Sequence, residues 1–151
     1  MIRLLRQPIA ALLLALAMLA ATLSACSNTT TSTTTSTTAL SFTDATNTTV
    51  TLSHPATHIA CLVGACEDIL ASLGVQPVAV NDKLGQDPHY FGDAAKSFAV
   101  IGGQFFNPNV EDIAKAQPDL VIGLANVHEG LRDALKPIAP LYIMNPATYN
   151  D

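Results

Sequence analysis

Residues 98–123 read FAVIGGQFFNPNVEDIAKAQPDLVIG, and this stretch decides the fold class of the chain. It begins with a short apolar run that ends at two glycines, a pattern typical of a buried strand. Asn109 has the side chain of a helix N-cap, and the two acidic residues after Val110 suit a helix N-terminus. Pro118 ends that helix, and residues 120–122 form a second apolar run. The stretch therefore predicts a right-handed strand–helix–strand unit with parallel strands.

Residues 1–26 have the pattern of a secretory signal peptide. Arg3 and Arg6 precede an apolar run over residues 9–21, and small residues follow it. This run is shorter than the roughly 20 residues that a membrane-spanning helix needs. The ending Leu-Ser-Ala-Cys resembles the bacterial lipobox, whose cysteine is lipidated and becomes the first residue of the mature protein. The resemblance implies lipidation of Cys26, and the alternative is a plain cleavage site beside an incidental cysteine.

Residues 27–39 are almost all threonine and serine, which predicts a flexible tether because they offer little apolar surface to bury. Residues 40–151 then supply enough chain for one small domain. After Arg6 the chain has five basic and twelve acidic residues, a formal charge of −7. A charge of this sign argues against nucleic acid as a partner.

The domain is predicted to alternate strands and helices after an opening β-hairpin over residues 40–52. Helices are expected over residues 66–73, from Val110 onward and over residues 129–135. Ile69, Leu70 and Leu73 are expected to form the buried side of the first helix. Strands are expected over residues 59–63, 75–80, 98–101, 120–122 and 141–144. This order predicts the α/β class, with an open, mainly parallel sheet and flanking helices.

Several motifs of the domain resemble one family of transport proteins. The most specific are Pro-Asn-Val-Glu at 108–111 and Pro-Asp-Leu-Val-Ile at 118–122, and Leu-Gly-Val at 73–75 and Ile-Ala-Pro at 138–140 support them. In this order, behind a lipobox, they resemble ABC-transporter substrate-binding proteins of the iron-siderophore and vitamin B12 group. The resemblance implies that residues 40–151 are the N-terminal lobe of a two-lobed class III periplasmic-binding-protein fold. It also implies an extracytoplasmic, membrane-anchored monomer that serves an ABC permease.

In that family the ligand lies in the cleft between the lobes, and ligands of open parallel sheets bind beyond the carboxyl ends of the strands. The candidate contacts therefore fall in loops 64–67, 82–91, 103–107, 125–129 and 145–151. The resemblance implies an Fe(III)-siderophore complex as the ligand and no cofactor bound directly. Donor and aromatic side chains in these loops suit the oxygen atoms and apolar surface of such a chelate. The candidates are Lys83, His89, Tyr90, Gln104, Phe105 and Asn126.

Glu111 is the glutamate of the family's Asn-x-Glu motif. There it resembles a docking post that meets arginines of the membrane permease, and the resemblance gives Glu111 this role. The alternative is that its carboxylate only complements the helix N-terminus, which contributes about 0.3–1 kcal/mol.

Cys61 and Cys66 are the two cysteines that follow Cys26. A disulfide between them is chemically permitted outside the cytoplasm, and a strand end and the next helix start can lie within bridging distance. The alternative is a pair of small buried apolar residues. A zinc site is less favoured because no pair of histidines lies nearby, so no metal ligand is assigned.

Haem and cobalamin are the alternative ligands within the same transporter class. Haem-binding relatives tend to carry a tyrosine directly after the Val/Ile-Gly pair, where this chain has Gly103. Cobalamin stays open. An enzyme is not expected, because neither a Gly-x-Ser-x-Gly motif nor a phosphate-binding glycine loop occurs. A surface lipoprotein without a transport role would not need the motifs at 108–122.

Family members continue with a long connecting helix and a second lobe beyond the position that matches Asp151. We therefore expect this chain to be a fragment of a longer protein or the product of an interrupted gene. One lobe offers one face to a ligand, so we expect weak binding from residues 40–151 alone.

Overall fold

The computed structural model describes residues 39–81 and 83–148, and the side chains of residues 83, 84 and 148 are not described. The predicted signal peptide, Cys26 and the tether up to residue 38 lie outside the described residues. The same holds for residue 82 and for residues 149–151 of the last candidate loop. Within the described part of the chain, the helices are too short or too polar to cross a membrane.

A two-stranded antiparallel hairpin opens the described chain, as the sequence predicts. β1 (Leu40–Thr43) pairs with β2 (Thr49–Leu52), and Asn47 takes a left-handed conformation, with φ of 59°, in the connecting turn. Asparagine tolerates this conformation better than most residues. Along β2, Val50 and Leu52 are buried while Thr49 and Thr51 are exposed, so one face of the hairpin packs inward.

The strands that follow form one parallel sheet and one small hairpin. The strands are β3 (Ile59–Cys61), β4 (Ala79–Val80), β5 (Ala99–Val100), β6 (Gly103–Gln104), β7 (Asn107–Pro108), β8 (Leu120–Leu124) and β9 (Leu141–Met144). Five of them lie in the order β5-β4-β3-β8-β9, and each neighbouring pair is parallel. β6 and β7 form a separate antiparallel hairpin. The predicted fold class, an open parallel sheet with flanking helices behind a β-hairpin, is confirmed.

Helices cover both faces of the sheet. The helices are α1 (Gly64–Ser72), α2 (Pro88–Phe91), α3 (Val110–Lys115) and α4 (Arg132–Leu135). Short 3-10 turns occur at Lys83–Gln86, Gly92–Ser97, Glu129–Leu131 and Pro146–Thr148. Side chains of α3 and α4 pack with Ala60 and Leu62 on one face, whereas α1 packs with Ile59 and Cys61 on the other. Because successive residues of a strand point to opposite faces, β3 contributes to both apolar layers.

The buried side of α1 differs from the prediction. Leu70 is buried, but Ile69 and Leu73 are 40% and 69% exposed. The residues that share the inner face with Leu70 are Cys66 and Glu67, which stand four and three positions before it. The apolar spacing predicted a neighbouring face of the helix as the buried one, because the prediction did not count Cys66 and Glu67 as buried residues.

Two predicted strands are shorter in the structure. The run at residues 75–80 pairs only through Ala79 and Val80, and the run at 98–101 pairs only through Ala99 and Val100. Pro77 has no N–H group and cannot donate to a ladder, so regular pairing begins after it. Phe98 and Ile101 are nonetheless buried, so the apolar run correctly predicts core residues.

A buried carboxylate fastens the β1–β2 hairpin to the edge strand β9. Oδ1 of Asp44 accepts hydrogen bonds from the N–H groups of Thr46 (2.9 Å) and Thr48 (3.0 Å). Oδ2 accepts from the Arg132 guanidinium and from the N–H of Ile143 (3.2 Å). Burial by itself raises the pKa of Asp44, but the hydrogen bonds, led by those of Thr46 and Arg132, lower it by more. The pKa of this carboxyl therefore lies well below its usual value.

Candidate functional site

The candidate site is the carboxyl edge of the parallel sheet. The chain leaves β3 toward β4 and β5 on one side, whereas β8 and β9 lie on the other side of β3. The strand order therefore reverses between β3 and β8, and ligands of open α/β sheets bind at such a switch point. Since all five strands are parallel, the segments that follow them start at one edge, as the proposed cleft requires.

The segment at residues 64–67 is not a loop, in contrast to the prediction. It forms the first turn of α1, which begins at Gly64. Cys66 and Glu67 are buried within this turn. What faces the edge at this point is the short connection Leu62–Val63 between β3 and the helix, of which Leu62 is fully buried.

A disulfide closes the connection between β3 and α1. Cys61 is the last residue of the strand and Cys66 lies in the first turn of the helix, with their Cα atoms 5.6 Å apart. Both cysteines are almost completely buried in the apolar layer under α1. Of the two alternatives left by the sequence, the structure contains the disulfide. It holds the backbone at the switch point.

The segment at residues 103–107 forms most of a tight hairpin, which we call the aromatic hairpin (β6 and β7, with Phe105 and Phe106 at its tip). Gly103 pairs with Pro108, and its φ of +94° is a conformation that favours glycine. A Cβ atom on Gly103 would lie 2.6 Å from the carbonyl oxygen of Asn107, so only glycine fits there. The two phenylalanine rings meet edge to face with their centroids 5.3 Å apart. Phe106 is 72% exposed at the tip.

The aromatic hairpin reaches across the carboxyl ends of two strands. It follows β5, at one edge of the sheet, yet the carbonyl oxygen of Phe105 accepts a hydrogen bond from Nε2 of His128, at 2.7 Å. His128 follows β8, and β4 and β3 lie between β5 and β8 in the sheet. The tip of the hairpin therefore lies near the switch point, although its strand of origin does not.

His128 is the residue of this edge that sequence reasoning missed. Its side chain is completely buried, and its Nδ1 accepts from the N–H of Leu124 at 3.0 Å. A carbonyl oxygen can only accept, so Nε2 carries the proton and Nδ1 does not. A Cβ atom on Gly123 would lie 2.9 Å from Cβ of His128, so the absence of a side chain at Gly123 gives the imidazole its space. The signal in the sequence is weak, because a histidine after a strand usually lies in a solvated loop.

Asn126 lies in the turn that His128 closes. It takes a left-handed conformation with φ of 63°, and its side chain is exposed. Its N–H donates to the carboxylate of Glu129, and this bond lowers the pKa of Glu129 below its usual value. The structure therefore brings three of the six candidate ligand residues, Gln104, Phe105 and Asn126, to adjoining segments near the switch point.

The other three candidates belong to a different segment. Lys83 begins the 3-10 turn after β4, and its side chain is outside the described set. His89 and Tyr90 lie on α2, where their rings meet edge to face at 5.6 Å and Tyr90 is 50% exposed. The next residue, Phe91, packs against Phe98 with ring centroids 5.1 Å apart, and Phe98 directly precedes β5. These contacts place the segment beside the amino end of β5, and Phe91 also packs against the apolar layer of Cys61, Cys66 and Leu70 under α1.

Glu111 occupies the first turn of α3 with its side chain exposed. The predicted N-cap is confirmed, since Oδ1 of Asn109 accepts from the N–H groups of Glu111 (2.9 Å) and Asp112 (3.4 Å). The side chain of Asp112 makes different contacts. Its carboxylate accepts from Lys115 Nζ (3.0 Å) and from the N–H of Gly102 (3.1 Å), and these bonds lower its pKa. Asp112 thus fastens the helix to the base of the aromatic hairpin, while Glu111 faces outward.

The domain also has depressions away from the carboxyl edge. One of about 500 Å³ is lined by His54, Asp119 and Pro140, and an apolar groove of about 380 Å³ separates Phe42 of the hairpin from Tyr142 of the sheet. Neither contains any of the six candidate ligand residues. The candidate site is therefore an open rim with exposed rings.

Comparison with known proteins identifies the family. A family model described as periplasmic binding protein matches residues 59–150. The Bacillus subtilis (strain 168) protein named "Probable siderophore-binding lipoprotein YfiY" is 36% identical over 84 residues, which cover 54% of this chain and 26% of that protein.

Solved structures share the fold. Staphylococcus aureus SirA, solved in complex with staphyloferrin B, aligns with a TM-score of 0.60 and 29% identity over 70% of this chain and 36% of SirA. The FhuD protein from S. pseudintermedius aligns with a TM-score of 0.56 and 25% identity over 74% of this chain and 38% of FhuD. This chain thus spans between about a quarter and two fifths of the length of these relatives. Because the family model matches more than half of its residues, the chain belongs to the periplasmic binding protein family.

Proposed function

We propose that this chain contributes one lobe of an extracytoplasmic receptor that captures a ferric siderophore and delivers it to an ABC permease. The observation that carries the proposal is the hydrogen bond between Phe105 and His128, which joins the segment of Gln104 and Phe105 to the segment of Asn126 near the switch point of a parallel sheet. Exposed rings offer apolar surface to the organic part of a chelate, and amide groups offer donors to its oxygen atoms. The name of the Bacillus subtilis relative and the ligand in the SirA complex support the same class of ligand.

Binding of ferric chelates tests this proposal directly. The chain is dialysed against ferrioxamine B, ferric staphyloferrin B and ferric enterobactin, with haemin and cyanocobalamin as the alternative ligands. We expect saturable binding of a ferric siderophore with a dissociation constant weaker than about 1 μM, because one lobe buries one face of the ligand. Saturable binding of haemin or cyanocobalamin alone would replace the proposal. A sub-micromolar constant would contradict the one-faced site.

Haem is the weaker alternative on structural grounds. Haem-binding relatives tend to carry a tyrosine at the position that Gly103 occupies in this chain. Its φ is positive, and a Cβ atom at this position would lie 2.6 Å from the carbonyl oxygen of Asn107. A tyrosine therefore does not fit there. Tyr90 lies on α2, after β4, and would have to act from a different segment than the aromatic hairpin.

Glu111 is proposed as the contact to the permease. Its exposed carboxylate lies in the first turn of α3, and Asp112 beside it already holds Lys115 and the backbone of Gly102. In a two-lobed protein that carries this lobe, Glu111→Ala should leave chelate binding unchanged and lower uptake of radioactive iron. Asp133→Ala, which removes an exposed carboxylate of α4 outside the candidate loops, is the matched control for loss of one surface carboxylate. Normal uptake by the Glu111 variant would remove the docking role.

The membrane anchor is proposed at Cys26, with residues 27–39 as the tether. Two or more acyl chains hold a protein stably on a bilayer, whereas a single chain does not. Radioactive palmitate should label the chain in a bacterial host, and Cys26→Ala should abolish the label and release the protein from the membrane fraction. Retained label in that variant would reject the site. The proposal includes no catalytic residue, and hydrolysis or redox turnover of a bound chelate would contradict it.

A further inference from the structure

We propose that His128 is a positioning residue that holds the aromatic hairpin over the switch point, so that chelate binding depends on a side chain that does not touch the chelate. This inference rests on the proposed function for its ligand. The way in which His128 holds the hairpin is argued only from the contacts of its side chain. His128 lies within candidate loop 125–129, but it is not among the six residues proposed to contact the ligand.

The imidazole joins two segments that no secondary structure connects. Nδ1 accepts from the N–H of Leu124, at the end of β8, and Nε2 donates to the carbonyl oxygen of Phe105, at the tip of the aromatic hairpin. The donor and the acceptor are 23 residues apart in the second of these bonds. Both ring nitrogens are used, and the ring is completely buried. A buried side chain with both polar atoms satisfied is fixed in one orientation, and it fixes its partners in turn.

Packing supports the same role. The Phe105 ring stands edge to face against the imidazole, with ring centroids 5.3 Å apart. Phe106 in turn stands edge to face against Phe105. The exposed ring of Phe106 is thus connected through Phe105 to a buried, hydrogen-bonded residue. The short β6–β7 ladder, with two residues in each strand, has little stability of its own.

The two bonds of His128 can be separated by amide side chains. Asparagine places an acceptor oxygen one bond beyond Cγ, where His128 has Nδ1. Glutamine places a donor nitrogen two bonds beyond Cγ, where His128 has Nε2. His128→Asn therefore retains an acceptor for Leu124 and loses the donor to Phe105, whereas His128→Gln does the reverse.

Hydrogen exchange of the backbone amides tests the mechanism without any ligand. In His128→Asn we expect exchange in residues 103–108 to quicken roughly 3- to 10-fold relative to the central strands, which is what one net hydrogen bond supplies. In His128→Gln we expect near-normal exchange there and faster exchange at residues 124–127. His54→Asn, at an exposed histidine before the sheet, is the matched control. Equal acceleration throughout the domain in both His128 variants would reduce His128 to a core residue and overturn the inference.

The wild-type protein gives a measurement that does not depend on variants that fold. Nitrogen chemical shifts of His128 should show a protonated Nε2 and an unprotonated Nδ1, and a coupling across the hydrogen bond should connect Nδ1 to the amide of Leu124. The opposite tautomer would remove the bond to Phe105 and with it the proposal.

Chelate affinity completes the test. For whichever of ferrioxamine B, ferric staphyloferrin B or ferric enterobactin the wild type binds, His128→Asn should weaken binding roughly 3- to 10-fold and His128→Gln should weaken it less. If the wild type binds none of them, the proposed function fails, and the exchange pattern still decides whether His128 holds the hairpin. Equal affinity of wild type and His128→Asn would overturn the role in binding.

Discussion

Asp44 and His128 are both buried side chains that tie a hairpin to the central sheet, but they use different chemistry. Asp44 accepts four hydrogen bonds from backbone and Thr46 groups and also pairs with the Arg132 guanidinium. His128 accepts one hydrogen bond and donates one, with no charged partner in those bonds. The charged connection lies beside an edge strand and serves the fold. The neutral connection, made by His128, lies at the switch point and adds no charge there.

Of these two side chains, Asp44 should matter more for stability and His128 more for binding. A buried carboxylate that loses its charge leaves a guanidinium without its partner, so its removal affects the whole domain. An imidazole between two loops affects mainly the position of those loops.

Asp44→Asn should lower the free energy of unfolding by about 3 kcal/mol, because it breaks a buried ion pair while the Arg132 cation remains. Urea denaturation of the chain measures this change. Asp93→Asn is the matched control, since Asp93 is 94% exposed in its pair with Lys96 and should change stability by less than about 0.5 kcal/mol. Equal effects of the two substitutions would abolish the distinction between a buried and an exposed pair here.

Opening the disulfide should cost about 2 kcal/mol, because the Cys61–Cys66 bond closes a short loop and so restricts the unfolded chain only modestly. Denaturation with and without a reductant measures the effect. Cys61→Ala combined with Cys66→Ala should be insensitive to reductant. If the wild type is insensitive as well, the cysteines are not bonded in solution and are simply buried apolar residues.

Acid should destabilise the domain through Asp44. Its pKa in the folded state lies below its ordinary value of 3.8, so its stabilising contribution is complete above about pH 5 and is lost as the pH falls further. One such group changes the free energy of unfolding by at most about 1.4 kcal/mol per pH unit. The pKa values of Asp112, Asp119 and Glu129 are lowered as well and add to the slope. The slope below pH 4 should be shallower in Asp44→Asn, and an unchanged slope would assign the acid sensitivity to the other carboxylates.

Asn109→Ala should cost about 1 kcal/mol, because the first turn of α3 loses the acceptor for the N–H groups of Glu111 and Asp112. Glu111→Ala should cost about 0.5 kcal/mol or less, since it removes only a favourable charge at the helix end. Thermal unfolding of the two variants decides between them. A larger loss from Glu111→Ala would mean that this residue is structural, and it would weaken its assignment as the permease contact.

The sequence was sufficient for the features that depend on neighbours along the chain. The Asn109 cap and the hairpin over residues 40–52 are set within a few residues and were predicted correctly. The apolar runs were identified as strands, but two of them are shorter than predicted. The buried face of α1 was predicted wrongly, because apolar spacing could not show that Cys66 and Glu67 turn inward beside Leu70.

The candidate site was predictable only in outline. Parallel strands and their order along the chain indicate one edge with several loops, but they do not indicate which loops meet. The meeting of Phe105 and His128 depends on the strand order β5-β4-β3-β8, in which two strands lie between the origin of the aromatic hairpin and β8. The partnership of Asp44 with Arg132, 88 residues apart, is equally remote in sequence. No sequence pattern around these residues predicts either contact.

The crossing of the aromatic hairpin over β4 and β3 gives the domain an adjustable part. Because Phe105 and Phe106 reach the switch point through the length of a two-residue ladder, inserting or deleting a residue pair there would move both rings along the rim. The five strands beneath would keep their register. Libraries that vary only the length and tip of this hairpin would therefore alter the proposed chelate site without altering the sheet.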